Sequence, residues 1–539
     1  AISTAAHEFG DTIDALVAEL RSLDTVETVL SYRDGAPGLV SGDGTVALVP
    51  VTLIADGDAE DLARPVIDAV AAAELPDGFR ASIIGNGSVG AEFTHLAEET
   101  LVRGELLGIS VALVILLLVF GAAIAAGLPL LLAIGAIVLA TGMTAIVGQA
   151  MELSMFVMNM ITMIGLAVGI DYSLFIVQRY REERAHGLSV VEAIARAGDT
   201  ATRAVFFSGA TVVIALLGLL YMPDTVMRSL GIGSILAVVA AVAAALTLLP
   251  ALLGALGDRI NRGRLPGFHT SVRHGGGRFW HRVTHAVTAR PVLSVVLAGG
   301  ILLGAAAPYL TMTTGSNHIS SLPDDSPYRH AWTVLNDHFD TGTVTTSVVI
   351  AESGNDPAAA AGIAALVADL GADPDYGEVT VTPSPDGELT LVTAVTKLDP
   401  STVAAREAVS DLRTTTIPAA FAGSGIAVSV TGEAAWNADY VAEIDARTPV
   451  VFGFVLGLSF LLLLMVFRSI VVPLKAILMN LLSVGAAYGL LVAVFQHGFG
   501  AGVLGFQQTD VIEAWVPMLM FAVLFGLSMD YHIFLLSRI

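Results

Sequence analysis

The chain places an aspartate–tyrosine pair inside an apolar segment twice. Asp171-Tyr172 lies in GLAVGIDYSLFIVQRY, and Asp530-Tyr531 lies in LFGLSMDYHIFLLSRI. A carboxyl group at the depth of a hydrocarbon core is costly, so it marks a transport pathway or proton relay unless it merely caps or satisfies a neighbouring helix. Because the pair recurs in one sequence context, we favour the functional interpretation for both copies.

An aspartate and a tyrosine in this order can bind and release protons. Burial disfavours the charged carboxylate, whereas a phenolic hydrogen-bond donor favours it, so a balanced carboxyl loads and releases protons as hydration changes. Each Tyr follows its Asp by about 100° around the helix. We therefore expect two adjacent helices with the pairs at one depth, and each Tyr close to the Asp of the other helix.

Composition defines what surrounds these pairs. The chain has 539 residues, of which 55% are hydrophobic and 14% charged, and this predicts a polytopic α-helical membrane protein. The net charge of −23 argues against a nucleic-acid partner, which requires clustered Lys and Arg. Cysteine is absent, so thiolate metal sites and Cys nucleophiles are excluded.

Hydropathy divides the chain into membrane and aqueous regions. Two regions, 1–102 and 311–447, read as soluble α+β domains, and 255–290 reads as a basic linker. Between and after them we expect nine spans of about 20 residues. They lie near 103–120, 127–149, 156–178, 204–222 and 228–254 before the linker, near 291–310 after it, and near 448–467, 471–496 and 515–538 in the last region, 448–539.

The soluble regions carry their own pattern of helices and strands. In the first, helical spacing of Ile13, Leu16, Val17 and Leu20, a β-rich stretch at 45–54, a helix at 58–73 and a strand at 79–84 predict a split βαβ module, with an amphipathic helix at 88–102. In the second, we expect strands at 344–350, 389–395 and 426–430 and helices at 357–370 and 403–412.

Positive charge sets the expected orientation. If the spans alternate, the arginines that follow the third span, the basic linker 255–290, and Arg468 with Lys475 all fall on one side, which is the cytoplasmic side. Both soluble domains are then extracytoplasmic, and the protein lies in the cell membrane.

The two halves of the chain repeat at nearly fixed spacing. Gly85 and Gly432 are 347 positions apart, as are Phe120 and Phe467, and Gln149 and Gln496. Asp171 and Asp530 are 359 apart, so the second copy has about 12 more residues in an outer loop. Corresponding spans run in the same direction, which predicts a pseudo-two-fold axis along the membrane normal with the Asp–Tyr pairs facing each other across it.

Around both pairs the chain resembles the MMPL (mycobacterial membrane protein large) lipid exporters of the resistance–nodulation–division superfamily. GIDYSLFIVQRYREE and FGLSMDYHIFLLSRI are similar to that family's paired proton-relay helices, and the resemblance covers essentially the whole chain. It implies two extracytoplasmic porter domains and twelve transmembrane helices, of which the nine spans here correspond to the second through the tenth, so we expect the chain to be truncated.

The resemblance also implies roles for individual residues. Asp171, Tyr172, Asp530 and Tyr531 form the proton relay, with Phe175 and Phe534 one turn further on and Ser208 facing the relay from another helix. The implied activity is export of a lipid or other hydrophobic molecule driven by the proton-motive force, with protons as the coupling ion and no other cofactor. It leaves open whether cell-envelope accessory proteins or a second copy take part.

The same residues are compatible with other interpretations. Two membrane aspartates could form an intramembrane aspartyl protease, although no GxGD-like partner is present, and a sterol-sensing or receptor-like relative without transport is a further alternative. Gly165 and Gly169 have the spacing of close helix packing. His532 favours packing rather than a second proton carrier, and Trp332, Phe339, Trp436 and Tyr440 could line a lipid cavity or pack in a core.

Overall fold

The computed structural model describes residues 7–36, 38–263, 278–316, 319, 322–323, 325–339, 346–352 and 356–536. The chain divides into two compact units, each described by itself below. Unit 1 consists of residues 1–100, 313–442 and 500–512, and unit 2 consists of residues 101–312, 443–499 and 513–539. Helices and strands are numbered in chain order.

The first part of unit 1 combines two helices with a short antiparallel hairpin. Its elements are α1 (His7–Arg21), β1 (Val26–Val29), β2 (Val51–Leu53) and α2 (Ala59–Ala72), followed by the long helix α3 (Asn86–Phe120). Ile13, Val17 and Leu20 form the buried face of α1, as their spacing predicts, and pack with Val29 and Val66. The Asp58 carboxylate accepts a hydrogen bond from the Glu60 N–H and caps α2.

Two predictions for this region are wrong. The described part of the chain has no strand at 79–84, and the sheet is an antiparallel pair of β1 and β2 rather than a split βαβ module. The stretch instead uses its apolar side chains for packing, because the Phe79 ring contacts the Phe9 ring in a tilted arrangement at 5.5 Å between centroids and Ile83 packs against the α1 core. The alternation of apolar residues at 79–84 is therefore compatible both with a strand and with a packed segment that has no strand partner.

The first half of unit 2 is a bundle of apolar helices. It continues from α3 through α4 (Ala123–Val147), α5 (Val157–Ala185), α6 (Val190–Ala197), α7 (Arg203–Leu217), α8 (Thr225–Leu246), α9 (Leu248–Leu256), α10 (Arg278–Ala289) and α11 (Pro291–Ala306). Helix α5 packs against both α4 and α8. A π-helical turn, Gly198–Thr202, joins α6 to α7.

The second part of unit 1 contains a four-stranded antiparallel sheet in the order β5-β6-β4-β7. Its elements are β3 (Thr314–Gly315), α12 (Pro327–His338), β4 (Thr346–Glu352), α13 (Pro357–Ala372), β5 (Tyr376–Pro383), β6 (Leu389–Thr396), α14 (Val403–Asp411), α15 (Ile417–Ala420) and β7 (Val428–Thr431). Val349 and Val392 pair across β4 and β6 and pack with Leu366 of α13. The three predicted strands and two predicted helices are confirmed within a few residues, whereas β5 and α12 were missed.

The chain ends with the second group of apolar helices. They are α16 (Glu433–Phe467), α17 (Val471–Leu491) and α19 (Trp515–Leu536). The short helix α18 (Ala501–Leu504) and the strand β8 (Ile512–Glu513) lie between α17 and α19. The Ile512 N–H donates to the Thr313 carbonyl at 2.9 Å, next to the pairing of β8 with β3. The outer-loop insertion thus includes a segment, 500–512, that belongs to unit 1.

Eight helices in the described part of the chain are long and apolar enough to cross a membrane, and they coincide with the first eight predicted spans. The ninth predicted span coincides with α19, a helix of 22 residues. The amphipathic stretch predicted at 88–102 is continuous with the first span, because α3 runs unbroken to Phe120. The protein is therefore a polytopic α-helical membrane protein.

The internal repeat is visible in the backbone. Helices α3 and α16 both contain 35 residues, begin one residue after Gly85 and Gly432, and end at Phe120 and Phe467. Each is followed by a residue in the left-handed region, Gly121 with φ 62° and Arg468 with φ 50°, again 347 positions apart. The first long helix of each half thus has the same length and ends in the same turn conformation.

Candidate functional site

The first Asp–Tyr pair lies in the middle of α5, where glycines hold α5 close to α4. A Cβ atom added at Gly169 would lie 2.7 Å from Ala133 Cα, and one added at Gly165 would lie 2.7 Å from Ile137 Cγ1. The prediction that these glycines serve close helix packing is confirmed. The Ser173 hydroxyl donates to the Gly169 carbonyl at 2.7 Å, so it is satisfied within its own helix.

The structure brings Tyr172 together with Ser208 of α7. The Ser208 hydroxyl donates to the Tyr172 hydroxyl at 3.1 Å, and both side chains are fully buried. The neighbouring Gly209 packs closely against α8, since a Cβ atom there would clash with Val242 Cγ2. A tyrosine that accepts one hydrogen bond keeps its own proton for a second acceptor, which is the arrangement a relay requires.

Asp171 and Phe175 lie beside this contact and are only partly buried. Asp171 is rotated from Tyr172 by about 100° around α5, so the carboxyl and the phenol point in different directions. The side chains of Asp530, Tyr531, His532 and Phe534 lie outside the described residues, although the backbone of α19 passes through all four positions. The reciprocal Asp–Tyr hydrogen bonds therefore stay a prediction.

Helix α7 connects the first pair to α19. On α19, a Cβ atom added at Gly526 would lie 3.2 Å from Val212 Cα and 3.2 Å from Ala215 Cβ, so the two helices pack closely there. Successive spans alternate in direction, so α7 and α19 are antiparallel. Asp530 follows Gly526 by four residues and Ser208 precedes Val212 by four. The backbone thus brings Asp530 to the depth of Ser208.

Sequence reasoning missed a polar contact on the opposite side of α19. The Ser528 hydroxyl donates to Asn480 Oδ1 of α17 at 2.7 Å, and Asn480 is fully buried. At the outer end of the same two helices, the Tyr488 hydroxyl donates to the Pro517 carbonyl. Comparison of the two repeats indicates the contact between Ser528 and Asn480, because the equivalent residues of the first half, Gly169 and Ala133, are small and apolar.

Charged side chains gather at the end of α5. Arg179 pairs with Glu183 at 2.6 Å, and Arg181 donates to the Phe120 carbonyl at 3.0 Å and to Asn261 Oδ1 at 3.1 Å. Arg184 pairs with Asp258. These contacts fix the arginine-rich end of α5 against the ends of α3 and the segment after α9.

In the described part of the chain, the candidate residues form no metal centre, and the candidate aromatic residues do not line the cavity in unit 1. Within the described ranges, no group of three His, Asp or Glu side chains is placed to hold a metal ion. A cavity of about 620 Å³ in unit 1 is lined by α1 and residues 73–76, and none of the four candidate aromatics lines it. Phe339 is buried, whereas Trp436 is 58% exposed and stacks on Tyr440 at 5.2 Å.

A helical bundle built twice on one plan, with a partly buried aspartate next to a fully buried tyrosine in its first copy, defines a duplicated polytopic membrane protein. The chain belongs to the MMPL family, whose sequence pattern matches residues 3–294 and 320–539. The resemblance inferred around the two Asp–Tyr pairs is thereby confirmed.

Three relatives show what similar proteins do. A mycolic acid-containing lipids exporter, MmpL11 of Mycolicibacterium smegmatis, is 36% identical over 85% of this chain and 48% of its own length. A putative membrane protein of Streptomyces coelicolor is 35% identical over 97% of this chain and 71% of its own length. A heme uptake protein, MmpL11 of Mycobacterium tuberculosis, is 34% identical over 85% of this chain and 48% of its own length.

The chain spans about half the length of the mycobacterial relatives it matches. The two relatives named for an activity are named for lipid export and for heme uptake. Proteolysis is not the activity named for any of these three relatives.

Proposed function

We propose that this protein uses the proton-motive force to export a lipid or another hydrophobic molecule across the cell envelope. The relay consists of Asp171, Tyr172, Asp530 and Tyr531, and Ser208 orients the phenol of Tyr172. The observation that carries the proposal is the fully buried hydrogen bond between Ser208 and Tyr172, one residue from an aspartate inside a membrane span. A buried acid and phenol at such a depth are expensive unless they act on protons.

The available energy is sufficient for such coupling. Moving one charge through the membrane potential supplies about 2.3 kcal/mol per 100 mV, and each unit of pH difference supplies about 1.4 kcal/mol. Together they bias a conformational equilibrium by more than tenfold, since about 1.4 kcal/mol corresponds to a factor of ten. Protons are then the only coupling species, and the relay needs no other cofactor.

The cargo and topology of the proposal come from the family and from charge. Lipid is the cargo named for one relative, and the arginines at the end of α5 support a cytoplasmic location for that end of the bundle. Both parts of unit 1 are then extracytoplasmic porter domains, through which the hydrophobic molecule leaves the outer leaflet.

The test is proton-gradient-driven lipid movement in vesicles that contain the full-length protein. We expect Asp171→Asn and Asp530→Asn each to reduce gradient-dependent transport at least about 100-fold, because a neutral amide cannot carry the proton. Ser208→Ala should reduce transport by about threefold to tenfold, since it removes one hydrogen bond from Tyr172 and leaves the phenol in place.

Asp224→Asn is the matched control. The Asp224 side chain caps α8 by accepting a hydrogen bond from the Met227 N–H, and Asn is an equally good capping residue, so transport should be unchanged. Undiminished transport in both relay variants would refute the relay. Gradient-driven movement of heme but not lipid would refute the cargo, and absence of gradient-driven movement in the wild-type protein would favour a receptor-like relative.

A further inference from the structure

The second half of unit 2 contains a buried polar contact that the first half lacks. The repeat offset of 347 relates Asn480 to Ala133, and the offset of 359 relates Ser528 to Gly169. In the first half, these positions pack so tightly that a Cβ atom on Gly169 would lie 2.7 Å from Ala133 Cα. In the second half, the same contact is a hydrogen bond of 2.7 Å.

Two buried polar atoms in the second half of unit 2 lack a protein partner among the described residues. They are Asn480 Nδ2 and the Ser459 hydroxyl of α16, and both side chains are fully buried. The first-half counterpart of Ser459, at the same offset of 347, is Ala112. An unsatisfied buried amide or hydroxyl is costly, and buried groups of this kind generally bind ordered water.

Ser459 and Ser528 occupy matching positions on parallel helices. Phe452 of α16 stacks on Phe521 of α19 at 3.8 Å between ring centroids. Ser459 follows Phe452 by seven residues and Ser528 follows Phe521 by seven, which is two helical turns, so each serine returns to the face of its phenylalanine. One span, α17, lies between α16 and α19 in the chain and runs antiparallel to both, so α16 and α19 are parallel. Ser459 and Ser528 are therefore displaced in the same direction from Phe452 and Phe521.

We propose that Asn480, Ser528 and Ser459 form a binding site for one buried water molecule between α16, α17 and α19. The water accepts a hydrogen bond from Asn480 Nδ2 and exchanges one with the Ser459 hydroxyl, which satisfies both atoms. A buried water typically makes about three hydrogen bonds, and a polar pocket with these groups meets that requirement.

The site has a consequence for proton access, which rests on the proposed relay. Ser528 lies three residues before Tyr531, about one helical turn, so the water lies next to the second-half pair. The first half presents Ala112, Ala133 and Gly169 at the equivalent positions, and these residues offer no side-chain polar atom. Protons therefore exchange with the second-half pair more readily than with Asp171-Tyr172.

The direct test is the structure of the full-length protein in lipid nanodiscs at a resolution that shows ordered water. We expect density within hydrogen-bonding distance of Asn480 Nδ2 and the Ser459 hydroxyl, and we expect it to vanish in Asn480→Ala. A direct protein partner for Asn480 Nδ2, with no water density between the three residues, would overturn the proposal.

The functional test compares two changes in the contact between α17 and α19. The double variant Asn480→Ala with Ser528→Gly installs the first-half residues, and we expect it to slow proton uptake about tenfold and to shift its pH profile. Asn480→Ser, which keeps a hydroxyl, should restore part of the rate. Tyr488→Phe removes the hydrogen bond to Pro517 in the same helix contact and should leave the pH profile unchanged.

The outcomes separate this proposal from the relay itself. If Asp171→Asn and Asp530→Asn abolish coupling while the double variant keeps the wild-type pH profile, the water site is refuted and the relay stands. If Tyr488→Phe shifts the pH profile as much as the double variant, general loosening of the helices explains the shift and the water site is refuted. If the aspartate variants keep full coupling, the relay fails, and the nanodisc structure alone decides on the water.

Discussion

The two halves of the membrane bundle follow the same path but join their helices differently. In the first half, α4 and α5 meet through Ala133 and Gly169, and a Cβ atom added at Gly169 would lie 2.7 Å from Ala133 Cα. In the second half, α17 and α19 meet at the equivalent level through the hydrogen bond between Ser528 and Asn480. Helices α3 and α16 match in length and in the turn that ends them, whereas the contact chemistry of the two halves differs.

This difference indicates separate tasks for the two contacts. Close packing of small residues in a membrane gives rigidity through van der Waals contact, since lipid provides no hydrophobic drive for helices to associate. A buried polar contact admits water and a proton donor at some cost in packing. The first half thus fixes the position of its Asp–Tyr pair, and the second half provides hydration next to its own.

The largest expected effect comes from exchanging the two contacts. Gly169→Ser gives the first half the second-half residue, and its Cβ atom must push Ala133 away, so we expect destabilisation of about 3 kcal/mol. Ser528→Gly gives the reverse exchange and should cost about 2 kcal/mol, from the lost hydrogen bond and the added glycine. Thermal unfolding of the full-length protein in detergent measures both.

The order of the two effects is the informative result. Ala133→Gly combined with Gly169→Ser should recover part of the stability, because the smaller neighbour makes room for the new side chain. Equal or greater damage from Ser528→Gly would contradict the view that the first contact is the more tightly packed one.

A smaller effect is expected at the left-handed turns that end the long helices α3 and α16. Arg468 adopts φ 50° where the first half has Gly121 with φ 62°. Arg468→Gly should stabilise the protein by about 0.5 kcal/mol, because glycine avoids the strain of this conformation but loses more chain entropy on folding. The reverse exchange, Gly121→Arg, should destabilise it by about 1 kcal/mol.

The same unfolding measurement checks this pair of variants. Because the two turns occupy equivalent positions, Arg468→Gly and Gly121→Arg should change the stability in opposite directions. A loss of stability in Arg468→Gly would show that the arginine side chain, rather than the backbone conformation, determines the effect at that turn.

The smallest effect concerns two aspartate turns of unit 1, one in each half. Hydrogen bonds from Ser41 and then Thr45 lower the pKa of Asp43 to about 2, and hydrogen bonds from Ser384 and the Glu388 N–H lower the pKa of Asp386. A lowered pKa in the folded state means that the stabilisation is fully present above the unfolded value of about 3.9 and is lost as the pH falls through the folded value.

Hydrogen exchange of residues 41–46 tests the first turn. Protection relative to Asp43→Asn should be constant above about pH 4 and should disappear as the pH approaches about 2. Protection that persists in the wild-type protein below pH 2, or that is equal in the variant at pH 6, would contradict the role of the carboxylate.

The membrane helices were predictable from the sequence, and much of the first part of unit 1 was not. An apolar run of about 20 residues has one stable structure in lipid, which is a helix, so hydropathy located the spans. The stretch 79–84 alternates like a strand, yet it packs Phe79 on Phe9 and pairs with no strand in the described chain. Strand formation depends on a partner strand, which local sequence does not specify.

The candidate site was predictable to a similar extent. The cost of burying Asp171 identified the pair from one sequence, and the family resemblance added Ser208, which contacts Tyr172. The contact between Asn480 and Ser528 was missed because neither residue is unusual alone in a membrane helix. Position-by-position comparison of the two halves would have found it, since only the second copy is polar there.

The π-helical turn Gly198–Thr202 determines which face of α7 meets its neighbours. A π turn holds one residue more than the α-helical turn it replaces, and one residue corresponds to about 100° of rotation. If α6 continued into α7 without that residue, the hydroxyl of Ser208 would point about a quarter of a turn away from Tyr172. One additional residue therefore determines the rotation of α7 about its own axis, and α7 is the helix that connects the first Asp–Tyr pair to α19.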